Sequence, residues 1–252
     1  MGRLLPGRRV RHRSVTMIRT EALSKYYGTL QAVSDLNLEI ATGEVFGFVG
    51  PNGAGKTTTI KMLMGFVTPT RGRAWIKGIE VIPGNLPALH RAIGYVPERG
   101  GMYEYMTGLE YLSFHGGFWH PKPRHRAEDL LQQFDLPAHR SIRTYSLGMR
   151  RRLLIAQGIF HDPELLILDE ITSGLDPVAR CDILQMIHQL QREGKTIILS
   201  SHVLEEIEQV CTTVGIIQNG RLLVKCSLAE LVMTGKSLRD TFMAYVRGGI
   251  AC

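Results

Sequence analysis

Eight consecutive residues, Gly50-Pro51-Asn52-Gly53-Ala54-Gly55-Lys56-Thr57, fit the pattern Gly-x-x-x-x-Gly-Lys-Ser/Thr without a mismatch. A phosphate group needs many hydrogen-bond donors in a small concave space. Glycines let the backbone fold tightly enough for successive N–H groups to point inward. A helix that follows aims its positive end at the anion. In such a cradle Lys56 reaches the terminal phosphates and Thr57 places its hydroxyl on Mg2+, with Thr58 beside it in the binding set. A second group follows much later. Leu165-Leu166-Ile167-Leu168 is a fully apolar run that ends in Asp169-Glu170. Alone, two acids after a strand more often belong to a solvated loop. In a chain that binds phosphate, Asp169 is expected to hold Mg2+ and Glu170 to act as general base on the attacking water.

The elements around these residues suit those roles. Glu44 to Val49 is a short apolar run that reads as a buried strand leading into the Gly-rich loop, and Thr57 to Met64 reads as the helix after it. Ile18 to Leu23 reads as a strand, with a turn at Lys25 to Gly28. Ala32 to Ile40 alternates apolar and polar residues like a half-buried strand. Further strands are expected around Ala74-Trp75-Ile76, at Ile93 to Val96 and at Thr196 to Leu199. Helices are expected at Leu86 to Ala92, at Pro177 to Glu193 with Asp176 as N-cap, and at Leu204 to Val210. Val214 to Ile217 and Leu222 to Val224 read as a hairpin across Asn219-Gly220, followed by one or two short helices. Apolar strands alternating with helices imply a parallel sheet covered on both faces. The stretch from about 107 to 160 is mainly helical in pattern and reads as an inserted subdomain.

Several short motifs fall in a set order after the Gly-rich loop: Tyr95-Val96-Pro97-Glu98, Tyr145-Ser146-Leu147-Gly148-Met149-Arg150, Asp169-Glu170, Ser173-Gly174-Leu175-Asp176, and His202. The set resembles the nucleotide-binding domain of ABC transporters over essentially residues 17–247. The resemblance implies an α/β P-loop NTPase fold: a RecA-like parallel sheet core, an N-terminal antiparallel β subdomain, and an inserted α-helical subdomain at about 100–160. It implies ATP and Mg2+ as ligands. Tyr27 matches the aromatic that stacks on adenine. Glu98 matches the position that senses Mg2+ and the attacking water and couples to the membrane partner. Ser146 and Gly148 match the loop that caps the γ-phosphate of ATP held by another copy. Asp176 matches a loop that communicates across the dimer, and His202 a switch on the γ-phosphate.

Three departures from the family pattern stand out. Glu98 replaces Gln, the signature reads YSLGMRR rather than LSGGQ, and Ile171 stands where Pro is common. The first two look like the branch that exports drugs, antibiotics, polysaccharides or sodium. The resemblance therefore implies a homodimer, or a pseudo-dimer with a paralogous ATPase, on a transmembrane permease subunit at the cytoplasmic face of the cell membrane. Two other readings compete: an ATP-binding regulator of a membrane complex without transport, and an ATPase of this type acting on nucleic acid. Against the latter, the Lys56–Ser146 interval leaves no room for the long coiled coil of repair members, and the chain holds one cassette rather than two. Nucleic acid is not expected as a partner.

The bulk composition agrees with this reading. Of 252 residues, 44% are hydrophobic and 21% charged, close to globular averages. Cys181, Cys211, Cys226 and Cys252 form no Cys-x-x-Cys pair, which argues against a metal site or disulfide framework and for a reducing compartment. No run of about 18 apolar residues or signal-peptide pattern occurs. The net charge is +7, but residues 1–16 carry five arginines and no acid, which leaves +2 for the other 236. Such a basic start could touch nucleic acid or anionic lipid. The plainer expectation is a disordered extension, with the working protein beginning at Met17. No added regulatory domain is expected after the last helices.

Overall fold

The computed structural model describes residues 16–119 and 123–248. The arginine-rich extension expected at the start lies outside them, except that Thr16 already pairs with Ala41.

Among the described residues, ten strands form two sheets. The first is antiparallel, in the order β2-β1-β4-β5, from β1 (Thr16–Tyr27), β2 (Leu30–Ala41), β4 (Arg71–Ile76) and β5 (Ile79–Glu80). In β2 Leu36, Leu38 and Ile40 are buried while Asp35, Asn37 and Glu39 are exposed, the period-2 pattern of a sheet with one wet face. The turn expected at Lys25 to Gly28 sits later. Tyr26 and Tyr27 still pair with Gln31 and Leu30, so the chain reverses only at Gly28-Thr29, where Gly28 takes a φ of +59°.

The second sheet has the order β10-β9-β3-β8-β7-β6. It comprises β3 (Val45–Val49), β6 (Ile93–Val96), β7 (Leu165–Asp169), β8 (Thr196–Ser201), β9 (Thr213–Gln218) and β10 (Arg221–Ser227). All its pairings are parallel except the β9–β10 hairpin, whose turn puts Asn219 and Gly220 at positive φ. Strands β3, β7 and β8 are buried along their whole length, and their side chains divide by parity between two cores. Phe46, Phe48, Leu165 and Ile167 face the antiparallel sheet and α1 (Lys56–Leu63). Val45, Val49, Leu166 and Leu168 face the helices that follow β6. This is the covered parallel sheet the apolar runs predict.

Helix α2 (Leu86–Ala92) precedes β6. Between β6 and β7 come α3 (Gly108–Gly116), α4 (Pro123–Gln133) and α5 (Leu147–Gly158), packed on one another within the second core. After β7 runs α6 (Pro177–Arg192), with Asp176 as its cap and Ile183, Leu184, Ile187 and Leu190 on its buried stripe. Helix α7 (Leu204–Val210) follows β8, and α8 (Leu228–Met233) and α9 (Leu238–Gly248) end the described chain.

Candidate functional site

The strand register sets the site. Val49 pairs with Ser201, and Ser200 with Asp169, so the carboxyl ends of β3, β8 and β7 stand side by side. In an open α/β sheet ligands bind at that edge.

From β3 the chain turns through Gly50 to Gly55 and enters α1 at Lys56. Gly55 takes a φ of +107°, and a Cβ there would come within 2.6 Å of the Ala32 carbonyl. Gly53, at φ +80°, has nothing within 4 Å of its Cβ position and turns its open side outward. The Asn219-Gly220 turn braces this loop: Gly220 N–H donates to Ala54 O at 2.9 Å and its carbonyl accepts from Ser34 N at 2.8 Å. Lys56 is buried, with 6% of its side chain exposed. Its Nζ donates to Gly50 O at 2.6 Å and stands 3.3 Å from Glu170 Oε1. Thr57 and Pro51 to Gly53 are exposed, and Thr58 is half-buried.

Asp169 and Glu170 end β7 in buried positions. Asp169 Oδ1 accepts from Ser200 Oγ at 2.5 Å, and the Thr57 hydroxyl stands near enough to favour the charged form of this carboxylate. Burial raises the Asp169 pKa above the ordinary carboxylate value, and the Glu170 and Glu98 charges add to the rise against the two hydroxyls. A carboxylate of this kind, next to a threonine hydroxyl and three acids deep in negative potential, suits a divalent cation. Glu170 takes a φ of +49°, a strained conformation for a non-glycine residue. Its N–H is shared between Ser200 O and Ser200 Oγ, both at 3.1 Å. Its Oε2 lies 2.8 Å from His202 Nδ1. Its Oε1, though near Lys56, is out of hydrogen-bond alignment with it and has no partner. A buried oxygen with a free lone pair is where a polarised water can be held.

Glu98 follows β6 and is exposed, within electrostatic reach of Asp169. Its carbonyl accepts from Nη1 of Arg151 on α5. Burial lowers the Arg151 pKa, against the raising effect of the Glu98 charge. Tyr27 is exposed beside the hairpin turn with Lys25 Nζ 5.2 Å over its ring, so it is no core tyrosine. Ile171 is fully buried, so the residue in place of Pro is an added core contact.

The signature residues lie apart from these. Ser146 is exposed and caps α5 by accepting from Met149 N at 3.2 Å. Gly148 is buried, and a Cβ there would stand 2.8 Å from Ala179 Cβ on α6, so the glycine permits close helix packing. Among the described residues, no hydrogen bond or ion pair joins Ser146 or Gly148 to the Gly50–Thr58 loop. Asp176 Oδ1 caps α6 through Val178 N at 3.0 Å and Ala179 N at 2.9 Å. The structure thus gathers Lys56, Thr57, Asp169, Glu170, His202 and Glu98 at one edge, and leaves Ser146 facing outward. Ser200, Thr172, Arg151 and Glu206 also serve this edge. Of these, only Arg151, inside the YSLGMRR segment, fell within a motif read from the sequence. A cleft of about 640 Å³ beside α6 holds none of the phosphate-loop residues; the chemistry sits at the strand ends.

A phosphate loop on the central strand, with paired acids two strands away, defines the P-loop nucleoside triphosphatase class. The chain belongs to the ABC transporter family, whose model matches residues 33–173. It is an ATP-binding ATPase of that family. The chain is 41% identical to the bacitracin transport ATP-binding protein BcrA of Bacillus licheniformis, over 82% of this chain and 69% of that one. It is 39% identical to the linearmycin resistance ATP-binding protein LnrL of Bacillus subtilis, over 92% and 79%. Among solved structures, cbiO1 from Clostridium perfringens, part of the ABC transporter complex cbiONQ, superposes with a TM-score of 0.80 at 26% identity, covering 93% and 97%. The ATP-binding subunit of another ABC transporter gives 0.81 at 29%, covering 92% and 100%.

Proposed function

We propose that the chain is the energy-coupling ATPase of an exporter. ATP is clamped between the phosphate loop of one subunit and the Ser146 segment of a second copy, or of a paralogous subunit. The observation that carries this is the separation just described. Lys56, Glu170 and His202 stand together at the strand ends, while Ser146 caps an exposed helix N-terminus and, among the described residues, makes no hydrogen bond or ion pair to its own phosphate loop. A γ-phosphate held by Lys56 keeps one face open, and a facing helix N-terminus supplies donors to that face.

In this reading the backbone N–H groups of Gly50 to Thr58 cradle the phosphates and Tyr27 stacks on adenine. Thr57, Asp169 and Glu98 would hold Mg2+, which neutralises phosphate charge when bound. Glu170 takes the proton of the attacking water. His202, donating from Nδ1 to Glu170, keeps that carboxylate aimed; only with a second proton on Nε2 does the same ring also donate to a γ-phosphate oxygen. Hydrolysis then removes the γ-phosphate that holds the pair, so closure and opening become a two-state element.

Among the described residues no helix is long and apolar enough to cross a membrane; in this reading transport runs through a separate transmembrane subunit. An exposed run of rings in tilted and edge-to-face contact, Tyr105, Tyr103, Phe114 and Phe118, with centroid spacings of 5.8 to 6.0 Å, offers an apolar face on the α3 region for it. The subunit would then sit peripherally on the cytoplasmic membrane face. Export is supported by Glu98, by the YSLGMRR segment and by the bacitracin and linearmycin relatives. The test is reconstitution with the neighbouring membrane subunit in vesicles: ATP-driven movement away from the nucleotide side is expected. ATP turnover without vectorial movement would contradict the reading.

A further inference from the structure

Glu206, on α7, is a carboxylate with only 3% of its side chain exposed. It is in no part of the phosphate site. Its Oε2 accepts from Thr172 Oγ1 at 2.6 Å and from Ser201 Oγ at 2.9 Å. Its Oε1 stands 3.1 Å from Arg180 Nε, an ion pair out of hydrogen-bond alignment. The three partners come from three segments. Thr172 is two residues past Glu170. Ser201 directly precedes His202. Arg180 lies in the first turn of α6, with its N–H on the carbonyl of Asp176 at 3.0 Å. Ser201 Oγ also accepts from Val203 N at 3.0 Å, which ties the start of α7 to the same knot.

Burying a carboxylate is costly, and well-packed apolar residues in its place are often neutral or stabilising. Stability alone is therefore a weak reason for a charge at this position. A geometric reason is at hand. Glu170 sits in a strained left-handed conformation, which persists only where its surroundings over-determine it. Ser200 holds the residue from one side through its N–H. Thr172, bound to Glu206, holds the other end of the same short segment.

We propose that Glu206 is a positioning residue for hydrolysis: it locks the segment carrying Glu170, the strand end carrying His202 and the Asp176 turn of α6 into one rigid unit. It touches neither nucleotide nor water. The inference rests on the roles of Glu170 and His202 proposed above.

The test measures kcat, the KM for ATP and thermal midpoints for Glu206→Ala, Glu206→Gln and Thr172→Val in the full chain, with Glu170→Gln in parallel. Thr172→Val keeps the side-chain shape and removes one hydroxyl, so it reports even if Glu206→Ala folds poorly. Outer-shell partners of reacting groups typically contribute about 10–100-fold. Glu206→Ala and Thr172→Val are expected to lose kcat in that range while KM stays within about two-fold. Glu206→Gln, whose carbonyl still accepts from both hydroxyls, is expected to recover a large part of kcat. Folded Glu206→Ala and Thr172→Val with wild-type kcat, or with KM rising in step with the loss, overturn the positioning role. If Glu170→Gln is inactive in that case, the base assignment stands alone. Full hydrolysis by Glu170→Gln overturns both.

Discussion

Lys56, Glu170 and His202 form a line at the sheet edge, with contacts of 3.3 and 2.8 Å. Each member does different work, so their substitutions separate. Lys56→Ala is expected to lose nucleotide affinity; tight ATP binding by that variant in a titration would contradict the cradle. Glu170→Gln is expected to bind ATP normally and to stall before hydrolysis. Gly55→Ala would force a Cβ into the Ala32 carbonyl at a φ of +107°. Strain of this kind costs on the order of 1–3 kcal/mol, so the variant should show both a lower melting temperature and weaker ATP binding. At this scale the sequence was highly legible where chemistry is written in consecutive residues. The Gly-rich loop and the acidic pair are local patterns. Ser200 and Glu206 were hidden because their meaning lies in partners about 30 residues away, Asp169 and Thr172, that only the sheet register and the packing of α7 bring near.

The elements were read well wherever periodicity or punctuation was strong. Leu86–Ala92, Ile93–Val96 and Leu204–Val210 have the expected bounds. The first hairpin turn was misplaced because Tyr26 and Tyr27 stay paired, and the two-residue β5 is too short to carry a pattern. Helix α3 opens with a capping box, Thr107 accepting from Glu110 N while Glu110 accepts from Thr107 N. Thr107→Ala should cost about 1 kcal/mol of stability in chemical denaturation and leave ATP affinity unchanged. A pH dependence also belongs here. His115 packs against Tyr111 with centroids 4.5 Å apart, and His161 stacks on Trp119 at 4.4 Å while bonding to Ile93 O at 3.0 Å. Burial lowers both pKa values below the ordinary 6.5. The unfolded chain therefore takes up more protons as pH falls past about 6.5, and the stabilisation present above that value is lost toward the folded pKa values. Melting temperature should fall between pH 7.5 and 5.5, and His161→Gln should flatten the fall. An unchanged slope in that variant would remove His161 from the account.

At the scale of the molecule, the proposed function makes the strand-end edge half of a site and the α5 cap at Ser146 of another copy its second half, so that assembly and hydrolysis become one event. That arrangement is an expectation carried by the order of motifs in the sequence. The way α5 reaches the edge was not legible: buried Arg151 holds the carbonyl of Glu98, which ties the helical insertion to the loop after β6. The central claim is that ATP itself joins two copies. Sedimentation of Glu170→Gln with saturating Mg-ATP, alone and combined with Ser146→Arg, tests it most directly. A dimer that forms only with ATP and is lost in the double variant is the predicted result. A fully ATP-loaded protein that sediments as a single chain, or a dimer indifferent to Ser146→Arg, would contradict it.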